Sequence, residues 1–392
     1  MKIGVFTLPL ENNYGGNLQN FALQQVLKEM GHEVVTIDWH RKKEYGSFAR
    51  QFIGYIHRLY SHYIKKEKIS TCWCPFFSEK EFDIISSNIR PFINKNIALT
   101  RKICQAQLKE IDNEYKFDAY VVGSDQVWVH SYALSAFLDF VDREGVIKVA
   151  YAASSNERAW TRYQDLVPLC KQLSESFSGL SVRENFLKKE TEKILKRDIK
   201  LVLDPVLLLN PDKYLSLLQG KNNPAPFGFA YILDKSESKT SIIQRISKEK
   251  GISFISGMPR KAHVRERNMN LNDYIFPSVE DWIYGMSQAD TVVTDSFHGI
   301  AFSILFNKNF VVIPNARRGM ERFKSLLSIF NLENRMVSNA EEAMKVIKRP
   351  IEYDRINETL NSMRADSLSF LNKSLSENYQ IIPVNDNIHF SL

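Results

Sequence analysis

His298 lies in the stretch Val292-Val293-Thr294-Asp295-Ser296-Phe297-His298-Gly299-Ile300-Ala301-Phe302, where a β-branched run gives way within a few residues to an apolar helical pattern. An imidazole at a helix N-terminus is held towards its neutral form, because the helix dipole disfavours a positive charge there. An arriving anion reverses that bias, so His298 would become an imidazolium with substrate bound, as a general acid must. A histidine satisfied inside the core explains the same pattern equally well. Asp295 or Ser296 is expected to cap the helix, and Gly299 follows the histidine at its start. Arg317, Arg318 and Arg322 come after the next apolar run, Phe310-Ile313. Their forked guanidinium groups suit carboxylate and phosphate, although solvated surface arginines are the commoner case.

Two further stretches have the composition of ligand sites. Tyr14-Gly15-Gly16-Asn17-Leu18-Gln19-Asn20 follows the opening apolar run and precedes a helical pattern. Paired glycines let a backbone approach a ligand, and free N–H groups of the following helix favour an anion, so Gly15, Gly16 and Asn17 are candidate binding residues. The spacing is not the Gly-x-Gly-x-x-Gly dinucleotide pattern, and a tight turn without a ligand is the plainer alternative. Val121-Val122-Gly123-Ser124-Asp125-Gln126 ends a buried run in small and polar residues. Ligands of open α/β sheets sit at the carboxyl ends of strands, which selects Ser124, Asp125 and Gln126, against an Asx-turn that merely closes the strand. Arg183, at the end of Leu180-Ser181-Val182, is a comparable candidate.

The elements that must position these residues alternate between short apolar runs and helical periodicity. Ile3-Leu8, Val34-Trp39, Ala119-Gly123, Val149-Ala153, Leu180-Val182 and Leu201-Leu209 read as buried parallel strands, as do Phe227-Leu233, Ile252-Ser256, Thr291-Thr294 and Phe310-Ile313. The fold class is therefore α/β, with two Rossmann-like domains facing each other across a cleft. Residues 1–220 form the first domain, the proline-broken 221–226 a linker, 227–350 the second domain carrying His298, and 351–392 a C-terminal helix and tail.

A chain of 392 residues with 44% hydrophobic and 25% charged content is ordinary for two globular domains. The net charge of +7 favours anionic partners without choosing among phosphorylated substrates, nucleic acid and anionic lipid. Cys72, Cys74, Cys104 and Cys170 read as reduced thiols of a cytoplasmic protein, and Cys72-Trp73-Cys74 lacks the further ligands a metal would need. The N-terminus shows no signal-peptide pattern and no run reaches the ~18 apolar residues of a membrane span. Between residues 41 and 68, Phe48, Phe52, Tyr55, Ile56, Leu59, Tyr60 and Tyr63 recur at three- and four-residue steps among Arg41, Lys42, Lys43, Arg50, Arg58, Lys65 and Lys66. That is a basic amphipathic helix of the kind that lies on an anionic membrane surface, or a stripe that packs on the sheet or in a homo-oligomer.

Taken together, the Tyr14–Asn20 turn, "VVGSDQVW" at 121–128, "YAAS" at 151–154, "SVRE" at 181–184, "LDPVLLL" at 203–209 and "VVTDSFHGIAFSILFNKNFVVI" at 292–313 resemble the polysaccharide pyruvyl transferase family in order and spacing. The resemblance implies a GT-B-type fold and an enzyme that moves pyruvate from phosphoenolpyruvate onto a sugar as a ketal, releasing phosphate without a cofactor or metal. It implies that His298 is catalytic, and the reaction's need for a base makes Asp125 the expected base or acceptor-orienting group. Some members carry Arg-Leu-His where this chain has Ser296-Phe297-His298, so Arg183, Arg317, Arg318 or Arg322 is expected to clamp the donor. The acceptor implied is a bacterial polysaccharide precursor, commonly linked to polyprenyl diphosphate at the inner face of the cell membrane, with no nucleic acid partner. A GT-B glycosyltransferase using a nucleotide sugar and a non-catalytic saccharide-binding protein are the alternatives on the same architecture.

Overall fold

The computed structural model describes the chain except residues 41–47, 67–68, 74–75, 130–131, 156–159, 161–163, 219, 221–225, 262–268 and 377–392, and except the side chains of Ala49, Arg50 and Arg317. The expected linker therefore lies outside the described residues apart from Pro226. Strands β1 (Lys2–Phe6), β2 (Glu33–Thr36), β3 (Trp39–His40), β4 (Ile103–Cys104), β5 (Ala119–Val122), β6 (Ile147–Ala153), β7 (Gly179–Val182) and β8 (Lys200–Leu201) occupy the first half. Six of them form one sheet in the order β2-β1-β5-β6-β7-β8, with every pairing parallel. Val5 faces Thr36 on one side and Val121 on the other, so β1 lies at the point where the strand order reverses. Near-continuous Val, Ile and Ala runs suit strands covered on both faces.

Strands β9 (Phe227–Tyr231), β10 (Ser253–Ser256), β11 (Thr291–Thr294) and β12 (Asn309–Val312) form a second parallel sheet in the order β10-β9-β11-β12. One apolar cluster joins the two halves. Tyr14 of the first stacks on Trp282 of the second at 5.6 Å between ring centroids, and its hydroxyl donates to the Pro277 carbonyl at 2.7 Å. Tyr214 meets Phe302 edge-on at 5.1 Å.

One reading of the sequence needs correction. Leu201-Leu209 is not one strand: β8 ends at Leu201, the Leu203 amide turns to the Ser367 hydroxyl, and Asp204 accepts the Val206 amide at 3.0 Å to open a short 3-10 turn, Pro205–Leu207, whose Pro205 has no N–H to resume a ladder. The C-terminal helix, Tyr353–Leu375, follows the second domain in sequence. It returns to the first, where the Ser367 hydroxyl accepts the Leu203 amide at 3.0 Å and the Ser374 carbonyl accepts from Ser178 at 2.7 Å.

Candidate active site

The carboxyl ends of β5, β6, β7 and β11 converge beside the first turn of the helix Tyr14–Glu29. Gly123 follows β5 with φ +141°, and a Cβ there would overlap the Tyr151 carbonyl, so only glycine lets the chain pass. Asp125 then adopts φ +67° and pairs its backbone with Ala153 beyond the bulge in β6, turning its carboxylate back over the sheet. Ser124 is fixed between them by Gln19, which accepts its amide at 2.9 Å, and by the Ala152 carbonyl, also at 2.9 Å.

Arg183 leaves the end of β7 and is the hub. Its Nη2 donates to Asp125 at 3.0 Å, Nε to Glu184 at 3.1 Å, and Nη1 to Asp204 at 2.5 Å and Ser124 at 3.2 Å. The Phe297 ring covers the guanidinium at 4.3 Å. Four of its five N–H groups are thus taken by the protein, which suits Arg183 to organising carboxylates more than to clamping a donor. Burial would raise Asp125, but Arg183 foremost, with His298 and Arg322, holds it below the usual carboxylate range. Glu184 behaves oppositely: burial pushes it up despite Arg183, and its Oε2 is buried without a partner.

His298 stands in the first turn of the helix Phe297–Leu305, packed against the start of the helix Tyr14–Glu29 so tightly that a Cβ on Gly15 would overlap the imidazole. Its Nε2 lies 3.8 Å from Asp204, beyond hydrogen-bond reach, and is buried with no partner. Burial lowers the His298 pKa; Asp204 and Asp125 pull upward, while Arg183 and Arg322 oppose them. Burial thus favours the neutral ring, whose unpartnered nitrogen lies among charged groups.

Arg322 is a second unsatisfied group. It is only 8% exposed, its Nη2 donates to the Arg318 carbonyl, and its Nε has no partner. Among the described residues it has no carboxylate at ion-pair distance. Burial and then the like charge of Arg183 lower its pKa, against pulls from Asp125 and Glu184.

Several candidates are placed differently. Tyr14–Asn20 is the first turns of a helix and not a loop before one: Asn13 caps it through Gly16 at 3.2 Å, and the Asn17 amide bonds to the Asn13 carbonyl at 2.9 Å. The Gly16 and Asn17 amides are therefore not open to an anion, and Gly15 is small because His298 lies on it. Asp295 is fully buried and caps no helix. It accepts from the Leu233 and Asp234 amides at 2.6 and 3.2 Å, from Lys239 at 2.5 Å and from Asn315 at 2.9 Å. Ser296 occupies the N-cap position without a capping hydrogen bond. Gly299 lets its helix close on β11, since a Cβ would overlap Thr294. Arg318 pairs with Asp234 at 2.8 Å, which helps to hold that carboxyl at about 2 against the opposing effect of burial. Gln126 is half-buried beside Asp125, and the Arg317 side chain lies outside the described ones.

Asp204 and Glu184 complete the cluster and were not singled out from the sequence. The signal for Asp204 was its position before Pro205, where the expected strand breaks; that for Glu184 was an acid beside an arginine at a strand end. Asn13, whose Nδ2 lies 3.5 Å from Asp125, was equally silent. Among the described residues no group of His, Cys, Asp and Glu is arranged to hold a metal ion, and Cys74 lies outside them.

Residues 13–317 match the model of the polysaccharide pyruvyl transferase family, and the chain belongs to that family. No curated protein matches the sequence. Among solved structures, the UDP-GlcNAc 2-epimerase from Neisseria meningitidis bound to UDP-GlcNAc is similar with a TM-score of 0.51 and 13% identity, covering 96% of this chain and 99% of that one. The glycotransferase of kitacinnamycin has a TM-score of 0.49 and 10% identity over 96% and 99% of the two chains. The fold is α/β of the GT-B type.

Proposed function

We propose that this member of the family takes phosphoenolpyruvate as donor and builds a pyruvyl ketal on a saccharide acceptor, a polysaccharide precursor carried on polyprenyl diphosphate. The observation that carries the reading is the pair of buried, unpartnered nitrogens, His298 Nε2 and Arg322 Nε, beside an arginine–carboxylate cluster. A buried cation without an ion-pair partner among the described residues and a histidine biased towards its neutral form by burial and by two neighbouring arginines are both completed by a highly anionic ligand.

The chemistry follows from that charge balance. Donor binding raises the His298 pKa, so the imidazole takes up a proton as substrate arrives. It delivers that proton to the methylene carbon of phosphoenolpyruvate, the double-bond electrons forming the new C–H bond and leaving an oxocarbenium-like C2. One sugar hydroxyl adds to C2 and loses its proton, phosphate departs with the electrons of its C–O bond, and the second hydroxyl closes the ketal with loss of another proton. Arg322 stabilises charge on phosphate or carboxylate. Asp125, held ionised, orients the acceptor; Glu184, raised by burial, is the better proton acceptor of the two.

The test is phosphate release from phosphoenolpyruvate in the presence of a lipid-linked oligosaccharide, with the product weighed by mass spectrometry. Acceptor-dependent phosphate and a pyruvyl mass increment are expected. Nucleotide release from a sugar nucleotide, with phosphoenolpyruvate inert, would replace this reading by a glycosyltransferase.

A further inference from the structure

We infer that the helix Phe48–Tyr63 is a peripheral membrane anchor that lies in the headgroup layer of an anionic lipid bilayer. The helix is amphipathic in the wrong sense for a soluble protein. At 3.6 residues per turn, Phe48, Phe52, Ile53, Ile56, Tyr60, Tyr63 and the following Ile64 fall within an arc of roughly 160°. All seven are exposed, Phe48 at 74%, Ile53 and Tyr63 at 68% and Ile64 at 67%. The sheltered side carries Gln51, Gly54, Arg58 and Ser61, with Ser61 buried. Arg58 is turned inward, donating to the Cys72 and Trp73 carbonyls at 3.2 and 2.9 Å. Trp73 extends the apolar face by packing 5.4 Å from both Phe48 and Tyr55. Water is a poor solvent for such a face, and large contiguous apolar patches mark contact sites.

Charge selects the occupant. Residues 41–68 hold eight lysines and arginines against two glutamates, a net +6 of the chain's +7, and no acidic residue lies between Glu44 and Glu67. The remainder of the chain is therefore almost neutral. A second copy would bring like charge against like charge, whereas an anionic bilayer offers both an apolar layer for Phe and Ile and a negative surface for Lys. Tyrosines within the stripe suit the boundary between the two. The helix is about 24 Å long, enough to lie along the surface and too short and mixed to cross it; no helix among the described residues is long and apolar enough to cross. It belongs to an insertion between β3 and β4, whose Trp39 donates to the Thr7 carbonyl at 2.7 Å just beyond β1. The anchor therefore grows from the end of the first sheet that carries the candidate active site.

The test uses the full-length protein and sedimentation with phosphatidylcholine vesicles, alone or mixed with equal phosphatidylglycerol, and is independent of the transfer reaction. Wild type is expected to sediment with the mixed vesicles only. The triple variant Lys42→Glu, Lys65→Glu, Lys66→Glu should bind about a hundredfold more weakly or worse. Ile53→Ser with Ile56→Ser should abolish the fraction that survives high salt, with the melting temperature unchanged because both side chains are exposed in the free protein. Failure of wild type to sediment, equal sedimentation of all variants, or a dimer by light scattering that the isoleucine variant dissolves without any vesicle binding would overturn the inference.

Discussion

Two charged clusters, one in each domain, use similar parts to opposite ends. In the second domain Asp295 is surrounded by two amides, Lys239 and Asn315, while the neighbouring Asp234 is held by Arg318. In the first, Arg183 is surrounded by Asp125, Glu184 and Asp204. The Asp295 cluster contributes no atom to the buried groups that lack partners, and it ties β9, β11 and β12 together. The Arg183 cluster is bordered by three such atoms: Glu184 Oε2, His298 Nε2 and Arg322 Nε. Buried polar atoms are ordinarily satisfied, so a local concentration of exceptions marks where a ligand is missing, whereas a saturated network marks architecture.

Substitutions should separate the two. The largest effect is expected from His298→Gln, which keeps the shape of the site and should lower kcat about a thousandfold, with thermal melting little changed. Asp295→Ala should do the reverse, leaving Lys239 unpaired and costing about 3 kcal/mol or more of stability by denaturant titration. If Asp295→Ala melted like wild type but lost catalysis, the division between the clusters would be misdrawn. Gly15→Ala follows. It would improve helix propensity by about 1 kcal/mol, yet its Cβ would overlap the buried imidazole, so kcat should fall and the displacement should cost stability that offsets the propensity gain. Arg322→Met removes a buried cation that has no ion-pair partner among the described residues. It should leave stability equal or higher while raising the KM for phosphoenolpyruvate about ten- to a hundredfold.

The smallest effect concerns pH. Burial lowers His298 in the fold below its ordinary 6.5, so just below that pH the unfolded chain binds more protons. The stability associated with the neutral ring is present above about 6.5 and is lost as pH falls from there through the depressed value. Melting temperatures should decline less over that window in His298→Gln than in wild type.

These contrasts explain which features the sequence disclosed. Strands such as Val149-Ala153 and Thr291-Thr294 were legible because parallel strands buried on both faces leave runs with no polar–apolar alternation. His298, Asp125 and Ser124 were legible as strand-end polar residues, a local signal. Asp295 and Arg318 resembled ligand groups for the same reason, and only the fold shows that amides some sixty residues upstream and Asp234 satisfy them. Tyr14–Asn20 read as a loop because paired glycines disfavour helix; contact with His298 and Asn13 overrides that propensity. Asp204 and Glu184 gave only weak local hints, since what defines them is convergence on one arginine.

Calorimetric titration of phosphoenolpyruvate in two buffers of different ionisation enthalpy, slightly above neutral pH, tests the central claim most directly. The account predicts binding accompanied by net proton uptake in wild type, with the uptake removed in His298→Gln. Binding with no proton uptake, or with the same uptake in the variant, would contradict a histidine that awaits its anion.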